Sequence, residues 1–163
     1  MENSNNLYDT DYQQWAEQQK QLLQSGQLDR LDIKNLLEEL GQAVKNNRRS
    51  LKSGLKILML HLLKMDYQLR VLQDPWVQDK VIHTWLPSIN NPRSDITDLL
   101  ADSPSLKHHL PDVIAQSYPM AKAEAVEQMN KYIHSPQKRL TASSFPDTCP
   151  WTFEQLMSLD LYP

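Results

Sequence analysis

An all-α, single-domain helical bundle is the fold this chain predicts, on the strength of two placements and one periodicity. All three glycines lie at or before Gly54, and all ten prolines lie at or after Pro75. Proline inside a helix removes a donor and clashes with the preceding turn. The stretch before Pro75 is therefore open to long helices, and the stretch after it is cut into shorter, proline-broken ones. Apolar residues recur three and four apart, and nowhere do they alternate with a period of two for long enough to make a sheet.

The first helix is expected over about 9–25. Thr10 and Gln13 have capping-box spacing, Tyr8, Tyr12, Trp15 and Leu22 form a stripe, and Gly26 supplies a stop. Asp32 is the next cap. Ile33, Leu36, Leu37, Leu40 and Val44 open a phase that Leu51, Leu55, Leu58, Leu62, Met65 and Leu69 continue. Unbroken, residues 33–70 make a helix of roughly 57 Å at 1.5 Å per residue. The polar run Lys45–Ser50 interrupts the stripe, which leaves a kinked helix or a hairpin as alternatives. With no Gly or Pro to mark a turn there, one continuous or kinked helix is the better reading.

Gln73, Asp74 and Pro75 end that segment, and 75–84 reads as a loop with at most a turn of helix. Thr84 is a cap candidate for a helix carrying Trp85, Ile89, Ile96, Leu99 and Leu100, which Pro92 is expected to kink or split. Ser103 and Pro104 restart the chain for a short helix near 104–109. Pro111 then opens a helix to about 133, bent at Pro119. Residues 1–7 and about 135–144 are expected to be flexible, and Pro150 opens a last helix through Met157.

With 163 residues, 40% hydrophobic and 23% charged, the chain has enough material for one core. A net charge of -3 is too small to imply a strongly charged partner. A single cysteine, Cys149, excludes an internal disulfide framework and fits a reducing compartment. The N-terminal residues lack the pattern of a secretory signal, and the most apolar run, Ile57–Leu63 with His61 inside it, is too short to cross a bilayer. The expected setting is cytoplasmic, without a membrane.

His61 is the oddest residue, because an imidazole in an apolar run needs a partner. Glu38 or Glu39 could join it in a metal or acid–base site, but only in the hairpin. In a straight helix Glu39 and His61 are about 33 Å apart along the axis. The plain alternative is a core histidine bonded to a carboxylate or carbonyl. The sequence holds no HExxH or CxxC, and His108 and His109, being adjacent, point about 100° apart on a helix. Lys45, Arg48, Arg49, Lys52 and Lys56 form a basic stripe that could meet nucleic acid or an acidic protein, although most such runs are solvated faces. Trp15, Trp76, Trp85 and Trp151 read as core rather than as stacking platforms, and Cys149 as a packed thiol rather than a nucleophile.

Several blocks in order carry a family resemblance: Leu7-Tyr8-Asp9 with Asp11 and Trp15; Leu36 through Gly41; His61-Leu62-Leu63-Lys64; Trp85, Ile89 and Arg93; Ser103-Pro104-Ser105-Leu106; and Phe145 through Thr152. Over about 7–163 the chain resembles DUF29, a bacterial family of unknown function abundant in cyanobacteria and proteobacteria. The resemblance implies a small helical cytoplasmic protein, brings no activity with it, and marks Glu38, Glu39, His61, Lys64 and Arg93 as motif positions. Pro92 departs from the family pattern and puts the aim of Arg93 in question.

Two readings follow. The first is a non-enzymatic helical interaction module, self-associating or partner-binding through the Leu51–Met65 face, with no cofactor. The second is a metal-dependent hydrolase, acting on nucleic acid in one version. There His61 with Glu38 or Glu39 would hold a divalent metal, and Lys64 or Arg93 would steady a phosphate or oxyanion. The first reading is preferred, because the metal motifs are missing.

Overall fold

The computed structural model describes residues 4–73 and 81–160. Among them are six α-helices and no strand: α1 (Ser4–Thr10), α2 (Tyr12–Gln24), α3 (Ile33–Tyr67), α4 (Leu86–Asp102), α5 (Leu110–Asn130) and α6 (Phe153–Met157). The chain divides into two compact units, Met1–Asn46 and Asn47–Pro163. The division falls inside the polar run that interrupts the α3 stripe.

In the first unit the helix expected over about 9–25 is α2, and α1 precedes it in residues of which 1–7 were expected to be flexible. Asp11 separates the two, because its carboxylate accepts the Gln14 amide (3.0 Å) and caps α2, a role expected of Thr10. Gly26, at φ +71°, ends α2 in a left-handed turn. The Gln27 amide returns to the Leu22 carbonyl (3.0 Å) and the Gly26 amide to that of Leu23 (3.2 Å), which is a Schellman closure. Asp32 caps α3 as expected, accepting from the Asn35 amide (3.3 Å). The same carboxylate takes the indole N–H of Trp15 (3.1 Å). Trp15 is 2% exposed and stacks edge-on against Tyr8, with ring centres 4.8 Å apart.

In the second unit the core is built on α3. Leu51, Leu55, Leu58, Met59, Leu62, Leu63 and Met65 are buried against residues of α4, α5, α6 and the segment that joins the last two. The Leu51–Met65 face, expected to await a partner, is thus covered by the chain itself. Gly54 permits the close approach of α4: a Cβ there would meet Ile96 Cγ1 at 3.0 Å.

Helix α3 is unbroken to Tyr67, continues as a π-helical turn Gln68–Leu72, and stops at Gln73 in the left-handed region (φ 47°). Of the loop expected over 75–84, residues 75–80 lie outside the described residues, and Val81–Trp85 is a second π-helical turn. Thr84 does not cap the next helix; its carbonyl accepts the Ser88 hydroxyl instead (3.0 Å). Helix α4 runs through Pro92 without splitting, with the proline ring buried. Ser103 precedes a 3-10 turn, Pro104–His109, and its hydroxyl accepts from Asn47 (3.1 Å) rather than capping. Pro119 likewise lies inside α5.

The segment after α5 contains two 3-10 turns, Pro136–Lys138 and Ala142–Ser144. Leu140 between them is buried. The Asn130 amide clamps it, taking its N–H and donating to its carbonyl, both at 2.9 Å. Helix α6 begins later than Pro150 suggested, because Thr152 and Gln155 form a reciprocal capping box.

Candidate functional site

Residues four apart on a helix stand on one face. On α3 that places Lys56 and Lys64, two turns apart, along one edge, with His61 beside Lys64 at a spacing of three, and on α5 it pairs Glu124 with Gln128. The two helices join along this edge in a continuous polar ladder. Lys56 Nζ donates to Glu124 Oε2 (2.8 Å), Gln128 Nε2 donates to Glu124 Oε1 (3.0 Å), and Lys64 Nζ donates to Gln128 Oε1 (2.9 Å). Both ends of the Gln128 amide are engaged, so its orientation is set. The Lys56 hydrogen bond is the main cause holding the Glu124 carboxyl below its usual value. Burial pulls Lys64 down, and Glu124 partly opposes it.

His61 is half-buried beside the ladder. Burial, and then the Lys64 charge, press its pKa below the ordinary histidine value, with Glu124 opposing. A group whose folded-state pKa is lowered takes up protons preferentially when unfolded, so stability is lost as the pH falls through the histidine range. Replacing His61 by Gln is expected to shrink the fall in urea midpoint between about pH 7.5 and 5. An equal fall in both proteins would place the acid sensitivity elsewhere.

Below the Lys64 end of the ladder the second unit has a pocket of about 530 Å³. Its polar wall consists of Lys64, Gln68, Gln128 and Lys131, and Trp85 and Tyr132 contribute rings. Leu72, Met129 and Ile133 complete it. The rim follows the two π-helical turns, a helix variant often found at functional sites. Glu124, Gln128, Lys131 and Tyr132 were not among the sequence candidates. The spacing of Glu124 and Gln128 was visible, but the pairing with α3 spans 68 residues between Lys56 and Glu124, which no local pattern reports.

The other candidates are scattered. In the first unit Glu39 accepts the hydroxyls of Tyr8 (2.6 Å) and Tyr12 (2.9 Å), and its hydrogen bond pushes the Tyr8 pKa up to about 12. Glu38 is exposed. The unbroken α3 lacks the hairpin needed to bring Glu38 or Glu39 level with His61. Among the described residues no group of three or more His, Cys, Asp or Glu side chains could hold a metal ion. Arg93 is 3% exposed and donates from Nε to the Leu156 carbonyl (2.8 Å), tying α4 to α6.

The basic stripe is largely engaged within the second unit. Arg48 meets the His109 ring (3.0 Å), Lys52 the Gln116 amide oxygen (3.3 Å), and Lys56 belongs to the ladder. Lys45 and Arg49 are exposed. The Cys149 thiol is half-buried between Met59 Sδ (3.7 Å) and the Trp151 carbonyl (3.4 Å), and burial raises its pKa, which disfavours the thiolate a nucleophile needs.

No described helix is long and apolar enough to cross a membrane. The model of the family described as "Domain of unknown function DUF29" matches residues 7–162, and the chain belongs to that family. No curated protein and no solved structure matches it.

Proposed function

We propose that this member of the DUF29 family is a helical interaction module that pairs with a second copy of itself through the first part of α3. One observation carries the reading. Ile33, Leu37, Leu40 and Val44 are 52%, 64%, 66% and 69% exposed, and their spacing of four, three and four puts them on a single seam. Four large aliphatic side chains aligned this way cover a helix face that water disfavours.

Gly41 supports the same reading. It lies on this face between Leu37 and Val44, and a Cβ there would meet nothing within 4 Å. Glycine in an exposed helix interior costs about 1 kcal/mol relative to alanine. Its absent side chain lets a second helix backbone come close over the seam. This is the interaction reading of the sequence moved from the Leu51–Met65 face, which is buried, to the stretch before the polar break.

Sedimentation equilibrium tests it. The wild-type protein is expected to show a concentration-dependent dimer, and Leu37→Glu with Leu40→Glu should weaken association by about 100-fold, roughly 2.7 kcal/mol. Gly41→Ala separates close packing from simple stickiness, because it should raise helix stability while weakening the dimer. A wild-type chain that stays monomeric at several hundred micromolar would end the reading.

A further inference from the structure

We infer that the pocket at the Lys64 end of the ladder binds a small organic anion, a carboxylate or phosphate group carried on an apolar, planar body. The volume, about 530 Å³, lies within the range of sites that enclose small molecules. Its lining has two lysines, Lys64 and Lys131, and no Asp or Glu among the described residues, in a chain whose net charge is -3.

The two lysines differ. Lys131 is exposed and sits 3.8 Å from Glu127, a loose surface pair. Lys64 is half-buried, and it donates to the neutral Gln128 oxygen. An ammonium has three N–H donors, and the ladder uses one of them. Gln128 cannot turn away, because its other end is held by Glu124. The ladder thus fixes a partly desolvated cation at the pocket wall, with Glu124 bonded to Lys56 and acting on Lys64 only through space. A ligand anion accepts from the ammonium donors the ladder leaves unused, and Trp85, Met129 and Ile133, with the largely exposed ring of Tyr132 at the rim, suit a flat apolar body. The inference is independent of self-association and stands whether or not the chain dimerises.

Calorimetric titration of the full chain with 1-naphthoate, 1-naphthyl phosphate and the uncharged 1-naphthalenemethanol tests it. At least one anion is expected to bind ten-fold or more tightly than the alcohol, and whichever anion is tighter identifies the head group. Lys64→Met should remove that ten-fold preference and Lys64→Arg should keep it. Lys107→Met, at an exposed lysine that is not in the lining, should weaken the anion far less than Lys64→Met. Equal affinity for alcohol and anions in the wild-type protein, no binding at all, or a preference that survives Lys64→Met would each overturn the inference. The first two readings need no variant to fold.

Discussion

Replacing Arg93 by methionine is expected to lower the unfolding free energy by about 2–4 kcal/mol. The methionine keeps most of the aliphatic stem, so the loss comes from polar groups rather than from a void. The Leu156 carbonyl, on a residue with 0% exposure, loses a charge-assisted donor at 2.8 Å and is left in the core without it. Asn90 Oδ1 loses a longer contact at 3.4 Å. Lysine cannot reproduce the guanidinium fork, so Arg93→Lys should recover less than half of the loss. Urea unfolding checks both variants. A loss under about 0.5 kcal/mol, the size of an ordinary surface substitution, would show that Arg93 is not a structural tie between α4 and α6.

Trp15→Ala is expected to cost about 3–5 kcal/mol within the first unit. The indole is 2% exposed, supports the ring of Tyr8, and donates to Asp32 while that carboxylate caps α3. Trp15→Phe keeps a ring but drops the donor, and should cost about 1–2 kcal/mol. Native-state hydrogen exchange separates the two units. Faster exchange in α2 and around Asp32 is expected, with amides of α5 unchanged. Uniform acceleration through both would refute a local role for Trp15.

Much of the architecture was legible, because its causes are local. The three- and four-residue spacing from Ile33 onward, with no proline to stop it, specified α3 almost to its last residue. Gly26 and Asp32 act as read. The misses are also physical. Asp11 out-competed Thr10 as a cap because a carboxylate is the better acceptor for an N-terminal amide. Pro92 was expected to kink or split its helix, and α4 is not split there.

The candidate site was legible only in half. His61 and Lys64 stood out, since polar groups in an apolar run attract attention, but their neighbours Glu124 and Gln128 come from a helix more than sixty positions away. Which apolar stretch would be covered was also a tertiary matter. Within the second unit the C-terminal helices shield Leu51–Met65, whereas Ile33, Leu37, Leu40 and Val44 of the first unit are exposed.

That coverage has a consequence for biosynthesis. The Leu51–Met65 seam leaves the ribosome early, yet the residues that bury it extend to Leu156. At about 5–20 residues per second the seam waits roughly 5–20 s before its last covering side chain is made. During that interval a nascent chain displays a run of leucines and methionines whose cover is incomplete. Transiently exposed apolar surface of this kind is what chaperones guard, and here it lies on the helix that later becomes the most deeply enclosed part of the second unit.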